Sequence, residues 1–246
     1  MSCGVNAPSV WDAITRLPLA NFAAQFWLVD LRGTPGAEAV AWLSADEQAR
    51  AARFIFDEHR HRFRIAHAAL RALLAREIGR QPADLEFVHN AHNKPSLSDE
   101  QDCAFNMSHS DSVALIAIAR GLPAGCELGV DIEELRDMRD VAGLATMNFT
   151  TMEQAELSAA APESRYALFL NGWTRKEACL KALGSGLSVA PATFECGLAP
   201  RPARVQIVSG GAHSDIEVES IAVDPRHVAA VALLRAPRDG YHPGPR

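Results

Sequence analysis

The residues best suited to chemistry lie in two short stretches. Gly129-Val130-Asp131-Ile132-Glu133, read as a strand, turns Val130 and Ile132 to one face and Gly129, Asp131 and Glu133 to the other. The missing side chain at Gly129 is expected to leave open space beside the two carboxylates. Trp173 to Leu183, read as a helix, sets Trp173, Glu177 and Lys181 at successive i, i+4 positions on one face, with Leu180 and Leu183 on an apolar stripe. Gly184-Ser185-Gly186 stops that helix. Each stretch also has a plainer reading: acids at a strand end facing water, or a surface helix in which Thr174 and Glu177 form a capping box. If Glu177 comes near the strand, Asp131, Glu133 and Glu177 converge, and their repulsion calls for a cation. All-oxygen ligation points to Mg²⁺, which also takes substrate phosphates.

A metal–phosphate site needs cations, and several are placed to serve. Lys181 lies one turn beyond Glu177, Lys94 sits in the turn Asn93-Lys94-Pro95, and Arg62 belongs to a basic run from Arg50 to Arg80. That run is either a solvated helix face or a site for a multiply phosphorylated ligand. Phe105-Asn106-Met107-Ser108-His109-Ser110 adds short hydrogen-bonding side chains at the start of a strand. No G-x-x-x-x-G-K-[ST], G-x-G-x-x-G or G-x-S-x-G pattern occurs, which counts against P-loop, Rossmann and hydrolase-elbow chemistry.

The elements that must position these residues read as follows. Residues 1 to about 20 are expected to be loosely ordered. Gln25 to Leu31 is a first strand, Ser44-Ala45-Asp46-Glu47 a capping box opening a helix towards Phe56, and Asp57 to Ile78 a longer helix ended by Gly79. Leu85 to Val88 is a short strand, and Phe105 to Ala119 contains a strong one. The second half repeats the order: a capping box at Thr150-Thr151-Met152-Glu153, a long helix, an echo of Ala83-Asp84-Leu85-Glu86 at Ala192-Thr193-Phe194-Glu195, and an apolar strand from His227 to Leu234. The expected fold is α+β of mixed α/β character, two similar halves related by a pseudo-twofold duplication. Residues 1–120 form the N-terminal half, 121–235 the half carrying the metal site, and 236–246 a flexible tail. Matching Leu70-Arg71-Ala72-Leu73 to Leu180-Lys181-Ala182-Leu183 sets His67 against Glu177 and Arg71 against Lys181. Acids then occur in one half and bases in the other, as a single site between the halves requires.

Composition bounds the rest. The 246 residues are 48% hydrophobic and 22% charged, enough for a real core. Five cysteines without C-x-x-C spacing argue against a zinc site or disulfide framework and for a reducing, cytoplasmic setting. No signal peptide or membrane-length apolar run is apparent, and a net charge of −6 disfavours nucleic acid.

Together these residues resemble the Sfp-type 4′-phosphopantetheinyl transferases. Gly129-Val130-Asp131-Ile132-Glu133 with Trp173-Thr174-Arg175-Lys176-Glu177-Ala178-x-x-Lys181 is similar to the family's bipartite signature. Asn93-Lys94-Pro95, Phe105 to Ser110, and Phe149-Thr150 followed by Glu153 resemble its further motifs, and the likeness runs from about Leu43 to Leu187. The Trp173, Lys176-Glu177-Ala178 variant resembles the broad-specificity subgroup. The chain departs at Asn93, where the family more often has glycine, and at Glu47, near where some members place a lysine. The resemblance implies transfer of phosphopantetheine from coenzyme A to a serine of an apo acyl or peptidyl carrier protein, releasing adenosine 3′,5′-bisphosphate. It implies Mg²⁺ on Asp131, Glu133 and Glu177, with Glu177 as base and Lys181 neutralising phosphate charge. Arg62, Lys94, Ser108 and His109 would bind the coenzyme with Asp131 and Lys181. Position alone suggests Arg136, Met138 and Arg139 for carrier docking, and a duplicated chain with both halves of one site suggests a monomer. An inactive binding module and a Mg²⁺-dependent hydrolase of nucleotide pyrophosphates are the other classes these residues allow.

Overall fold

The structure is a computed structural model and describes residues 9–19, 22–136 and 138–236, with Leu187 followed only along its backbone. The first half opens on β1 (Ile14–Leu17) and β2 (Gln25–Asp30), followed by α1 (Ala37–Ala41), α2 (Ala45–Ala52) and α3 (Asp57–Ile78). The short pair β3 (Phe87–His89) and β4 (Pro95–Leu97) precedes a hairpin of β5 (Cys103–Ser110) and β6 (Val113–Arg120). The second half runs β7 (Glu127–Glu134), α4 (Val141–Asn148), α5 (Thr151–Ala159), α6 (Arg165–Leu183), β8 (Ala203–Ser209), β9 (Ala212–Ile221) and β10 (His227–Leu234). Two antiparallel four-stranded sheets result, ordered β1-β2-β6-β5 and β7-β10-β9-β8. Each half is thus a strand, a long helix and a returning hairpin, the α+β duplication expected. Among the described residues no helix is long and apolar enough to cross a membrane.

Local signals decide where the helices start and stop. Ser44 and Thr150 close capping boxes with Glu47 and Glu153, so α2 and α5 begin where the sequence says. Gly79 and Gly184 take left-handed φ of 73° and 68° and terminate α3 and α6. Three boundaries differ from the sequence reading. Residues 10–17 are ordered as a 3₁₀ turn and β1, because Ile14 to Leu17 pair with β2. Leu85 closes a 3₁₀ turn, so β3 begins only at Phe87. The strong strand after Phe105 is a tight hairpin turning at Asp111, whose φ is 47°. Cys3 and the tail beyond Ala236 lie outside the described residues.

The pseudo-symmetry also corrects the pairing of the halves. Arg71 precedes Gly79, and Lys176 precedes Gly184, by the same eight residues. Both cations are buried against the capping-box glutamate of their half: Arg71 Nε to Glu47 at 2.7 Å, Lys176 Nζ to Glu153 at 2.8 Å. Both then donate to two carbonyls of the following segment, Pro82 and Leu85 in one half and Pro191 and Phe194 in the other. Arg71 therefore matches Lys176, not Lys181, and Glu177 matches Ala72 rather than His67. The acid remains unique to the second half.

Lys176 is fully buried, and Glu153 is the carboxylate paired with it. Glu153→Ala is expected to destabilise the protein by about 3–5 kcal/mol, because an uncompensated buried charge remains. Urea denaturation measures this; a loss below about 1 kcal/mol would show that the pair is not needed.

Between the sheets, Phe26, Leu115, Ala117, Leu128, Val130, Ile132 and Val231 form a shared core. One face of β7 enters that core, and its other face lies under α6. This placement brings the chemistry of the two halves together.

Candidate functional site

Gly129 decides how close α6 comes to β7. A Cβ at Gly129 would fall 2.1 Å from the carbonyl oxygen of Ala178 and 2.3 Å from the amide nitrogen of Ala182. The space expected to admit a ligand is filled instead by the helix backbone. The glycine admits the helix, and the helix brings Glu177 and Lys181 over the acidic face of β7. Thr174 lies mid-helix and donates Oγ1 to the carbonyl of Asn171, so no capping box restrains Glu177.

The first half supplies the opposite wall. Edge strand β5 runs beside β7, and its alternate polar side chains reach across. Asn106 Oδ1 accepts the amide of Val130 at 2.9 Å, and Ser108 Oγ donates to Asp131 Oδ1 at 2.7 Å. Ser110 Oγ donates to Glu133 Oε2 at 2.8 Å while accepting the amide of Glu134. Lys181 Nζ closes the set, 2.7 Å from Asp131 Oδ1 and 2.8 Å from Ser108 Oγ. Ser110 had no assigned role in the sequence reading; its period-two spacing from Ser108 was the available signal.

Asp131 is buried, and its second oxygen, Oδ2, has no hydrogen-bond partner among the described residues. Burial raises the Glu177 pKa, and the negative charges of Asp131 and Glu133 raise it further against the pull of Lys181. Glu133 is likewise raised, by burial first and by Asp131, although Ser110 and nearby cations oppose the shift. Like charges about 4 Å apart near a protein surface repel by about 4 kcal/mol, so Lys181 and Arg136 leave the three carboxylates short of positive charge. Among the described residues, no three acidic, histidine or cysteine side chains form a ready-made metal cage. An all-oxygen pair with an unpaired buried carboxylate oxygen nevertheless fits Mg²⁺, which typically uses one or two carboxylates and completes its shell from substrate phosphate and water.

The cations expected to meet phosphate are differently placed. His109 is exposed, its pKa lowered by desolvation and by Lys181, His67 and Arg50. Arg62 is ion-paired to Glu58 and to Asp111, the latter at 3.0 Å. Lys94 turns its ammonium to Glu127 at 2.7 Å and to the carbonyls of Leu128 and Ala182, both at 3.1 Å. It thus fastens the β3–β4 connection to the C-terminal end of α6, where a cation is favoured. Asn90 reinforces this by donating to the Gly184 carbonyl. Asn93 adopts φ of 64°, a conformation asparagine tolerates better than most residues, so the turn survives without glycine. Glu47 is spoken for by the α2 cap, His67 and Arg71; these partners outweigh its burial and hold its pKa near 2.

A cavity of about 280 Å³ opens at this junction, bounded by the turn from His92 to Pro95, by Asn106 and Met107 of β5, and by Glu177, Leu180 and Lys181 of α6. Both halves line it. Beyond β7, Arg136 and Arg139 are exposed, whereas Met138 packs against the cluster around Phe149 and Leu157.

Two family models match successive parts of the chain. Residues 127–232 match the model of the 4′-phosphopantetheinyl transferase superfamily, and residues 36–120 match that of a 4′-phosphopantetheinyl transferase N-terminal region. The chain is 36% identical over 200 residues to 4′-phosphopantetheinyl transferase HetI of Nostoc sp., covering 80% of each. It is 26% identical to 4′-phosphopantetheinyl transferase Sfp of Bacillus subtilis, over 78% of this chain and 82% of that one. It is 36% identical to 4′-phosphopantetheinyl transferase AcpT of Escherichia coli, over 46% of this chain and 55% of the relative. With both halves matched in order and a relative this similar over most of its length, the chain belongs to the 4′-phosphopantetheinyl transferase superfamily.

Proposed function

We propose that the protein moves the 4′-phosphopantetheine group of coenzyme A onto a serine hydroxyl of an apo acyl or peptidyl carrier protein, releasing adenosine 3′,5′-bisphosphate. The observation that carries this reading is Lys181, paired with the buried Asp131, lining a cavity between the halves beside Glu177, while Asp131 Oδ2 has no hydrogen-bond partner among the described residues. Asp131 and Glu177, with Glu133 behind them, would hold Mg²⁺. Bound there, the ion would supply the charge neutralisation that attack on a pyrophosphate phosphorus requires.

The chain's own residues do the rest. Lys181 follows the charge on the phosphate oxygens. Glu177, whose side chain makes no hydrogen bond to a described residue, takes the proton of the carrier serine directly or through water. The new bond joins the serine oxygen to phosphorus, and the bond to the departing nucleotide phosphate breaks. Ser108 fixes Asp131, and His109 faces the coenzyme's outer phosphate. Arg62 reaches that phosphate by exchanging Asp111 for it, while Lys94 acts by holding the turn against α6.

The test is intact-protein mass spectrometry of an apo carrier incubated with the protein, coenzyme A and Mg²⁺. A phosphopantetheine-sized mass gain that EDTA prevents is the expected result. No gain across acyl and peptidyl carriers would reject the reading. The carrier is proposed to dock through Arg136 and Arg139, which follow the metal strand and stand exposed in a chain of net negative charge. Charge reversal at both is expected to raise KM for the carrier about tenfold or more, with KM for coenzyme A unchanged; equal shifts in both constants would count against docking there. One chain carries both walls of the site, so we assign a monomer working in the cytoplasm, where its four described free cysteines stay reduced.

A further inference from the structure

Lys181 sits on the carboxylate that a metal ion would need. Its ammonium contacts Asp131 Oδ1 at 2.7 Å and Ser108 Oγ at 2.8 Å, so the first half of the chain helps hold it there. The two members of the pair differ in freedom. The Asp131 side chain is 6% exposed and bonded to Ser108, whereas the Lys181 side chain is 30% exposed and lines the cavity beside Glu177. The lysine can leave; the aspartate cannot. A lysine on a flexible stem is a mobile point charge, unlike a forked guanidinium.

We propose that Lys181 is an exchangeable counter-cation at Asp131. It holds the carboxylate in the free enzyme, opposes a divalent ion there, and moves to the coenzyme's pyrophosphate when that arrives. The inference rests on Asp131 as a metal-binding residue. An ammonium and a divalent ion sharing one carboxylate in a half-buried site repel each other strongly. Asp131 Oδ2, without a hydrogen-bond partner among the described residues, shows that the ammonium satisfies only one oxygen of the carboxylate. A pyrophosphate brings negative charge of its own, which Lys181 can follow without leaving either cation uncompensated. Metal and coenzyme then bind with positive coupling, and each raises the affinity for the other by the same factor.

Isothermal titration of Mg²⁺ into ligand-free protein tests this without turnover. Lys181→Gln is expected to bind Mg²⁺ about tenfold tighter than wild type, and Lys181→Arg, which keeps the charge, to stay weak. Adding coenzyme A should tighten Mg²⁺ by a larger factor in wild type than in Lys181→Gln. Ser108→Ala, which removes the second acceptor of the ammonium, should shift Mg²⁺ affinity the same way by a smaller factor and serves if Lys181→Gln does not fold. Asp131→Asn should abolish binding. If Asp131→Asn abolishes binding but neither Lys181→Gln nor Ser108→Ala tightens it, the counter-cation role is wrong while the metal site stands. If Asp131→Asn binds Mg²⁺ as wild type does, the metal site itself is misplaced and the inference falls with it.

Discussion

Glu177→Gln is expected to lower the rate of carrier modification by about 100-fold or more while leaving the protein as stable as before, or more so. The activity loss follows from chemistry. A positioned general base contributes about 10²–10⁴-fold, and the amide keeps the shape of the side chain but cannot accept the serine proton. The stability expectation follows from charge. The Glu177 side chain makes no hydrogen bond to a described residue, and burial with the nearby Asp131 and Glu133 raises its pKa. A raised carboxylate pKa means the fold disfavours the ionised form. Its destabilising effect is absent below the unfolded value and grows as pH rises through that value towards the folded pKa, so at neutral pH the amide removes a cost. Single-turnover labelling and urea denataturation side by side measure both. Activity within tenfold of wild type would remove Glu177 from the chemistry, and a large stability loss would make it a structural residue.

Gly129→Ala, unlike Glu177→Gln, is expected to damage fold and activity together. One methyl group would meet backbone atoms of α6 at 2.1 and 2.3 Å, and backbone cannot rotate away as a side-chain tip can. The helix must move by about 1 Å in a closely packed site, which costs about 1–3 kcal/mol. That displacement carries Glu177 and Lys181 away from Asp131, and misplacement of this size lowers rates by about 100-fold. Denaturation gives the first quantity and labelling under single-turnover conditions the second. Full activity in the alanine variant would show that the contact between β7 and α6 is not what sets the site.

Both substitutions fall in the second half, but the site is built from both. The acidic strand and α6 belong to the second half, yet Asn106, Ser108 and Ser110 of β5 fix that strand from the first. Asp131 is therefore oriented across the junction, and the cavity exists only where the halves meet. Asn106, Ser108 and Ser110 on β5 thus form a wall that fixes the acidic strand.

Much of this was legible in the chain itself. Periodicity placed α3 and α6, capping boxes started α2 and α5, and glycines with left-handed φ ended the long helices. Alternation along β7 put Asp131 and Glu133 on one face, and i, i+4 spacing put Glu177 and Lys181 on another. These are local signals, set by torsions and hydrogen bonds within a few residues. Partnership is not local. Lys94 and Lys181 are equally plausible phosphate ligands by type, but packing turned one ammonium to Glu127 and the end of α6 and the other to Asp131. Arg62 found Asp111, Glu47 found Arg71 through the α2 cap, and the match of Arg71 to Lys176 emerged only from their shared burial. Gly129 could have admitted a ligand or a helix, and only the tertiary structure decides for the helix. The energy of a charge depends on its distance to every other charge and on the water excluded around it. The sequence alone determined which charges the protein carries and on which element faces; the distances and the burial came with the packing of one half on the other.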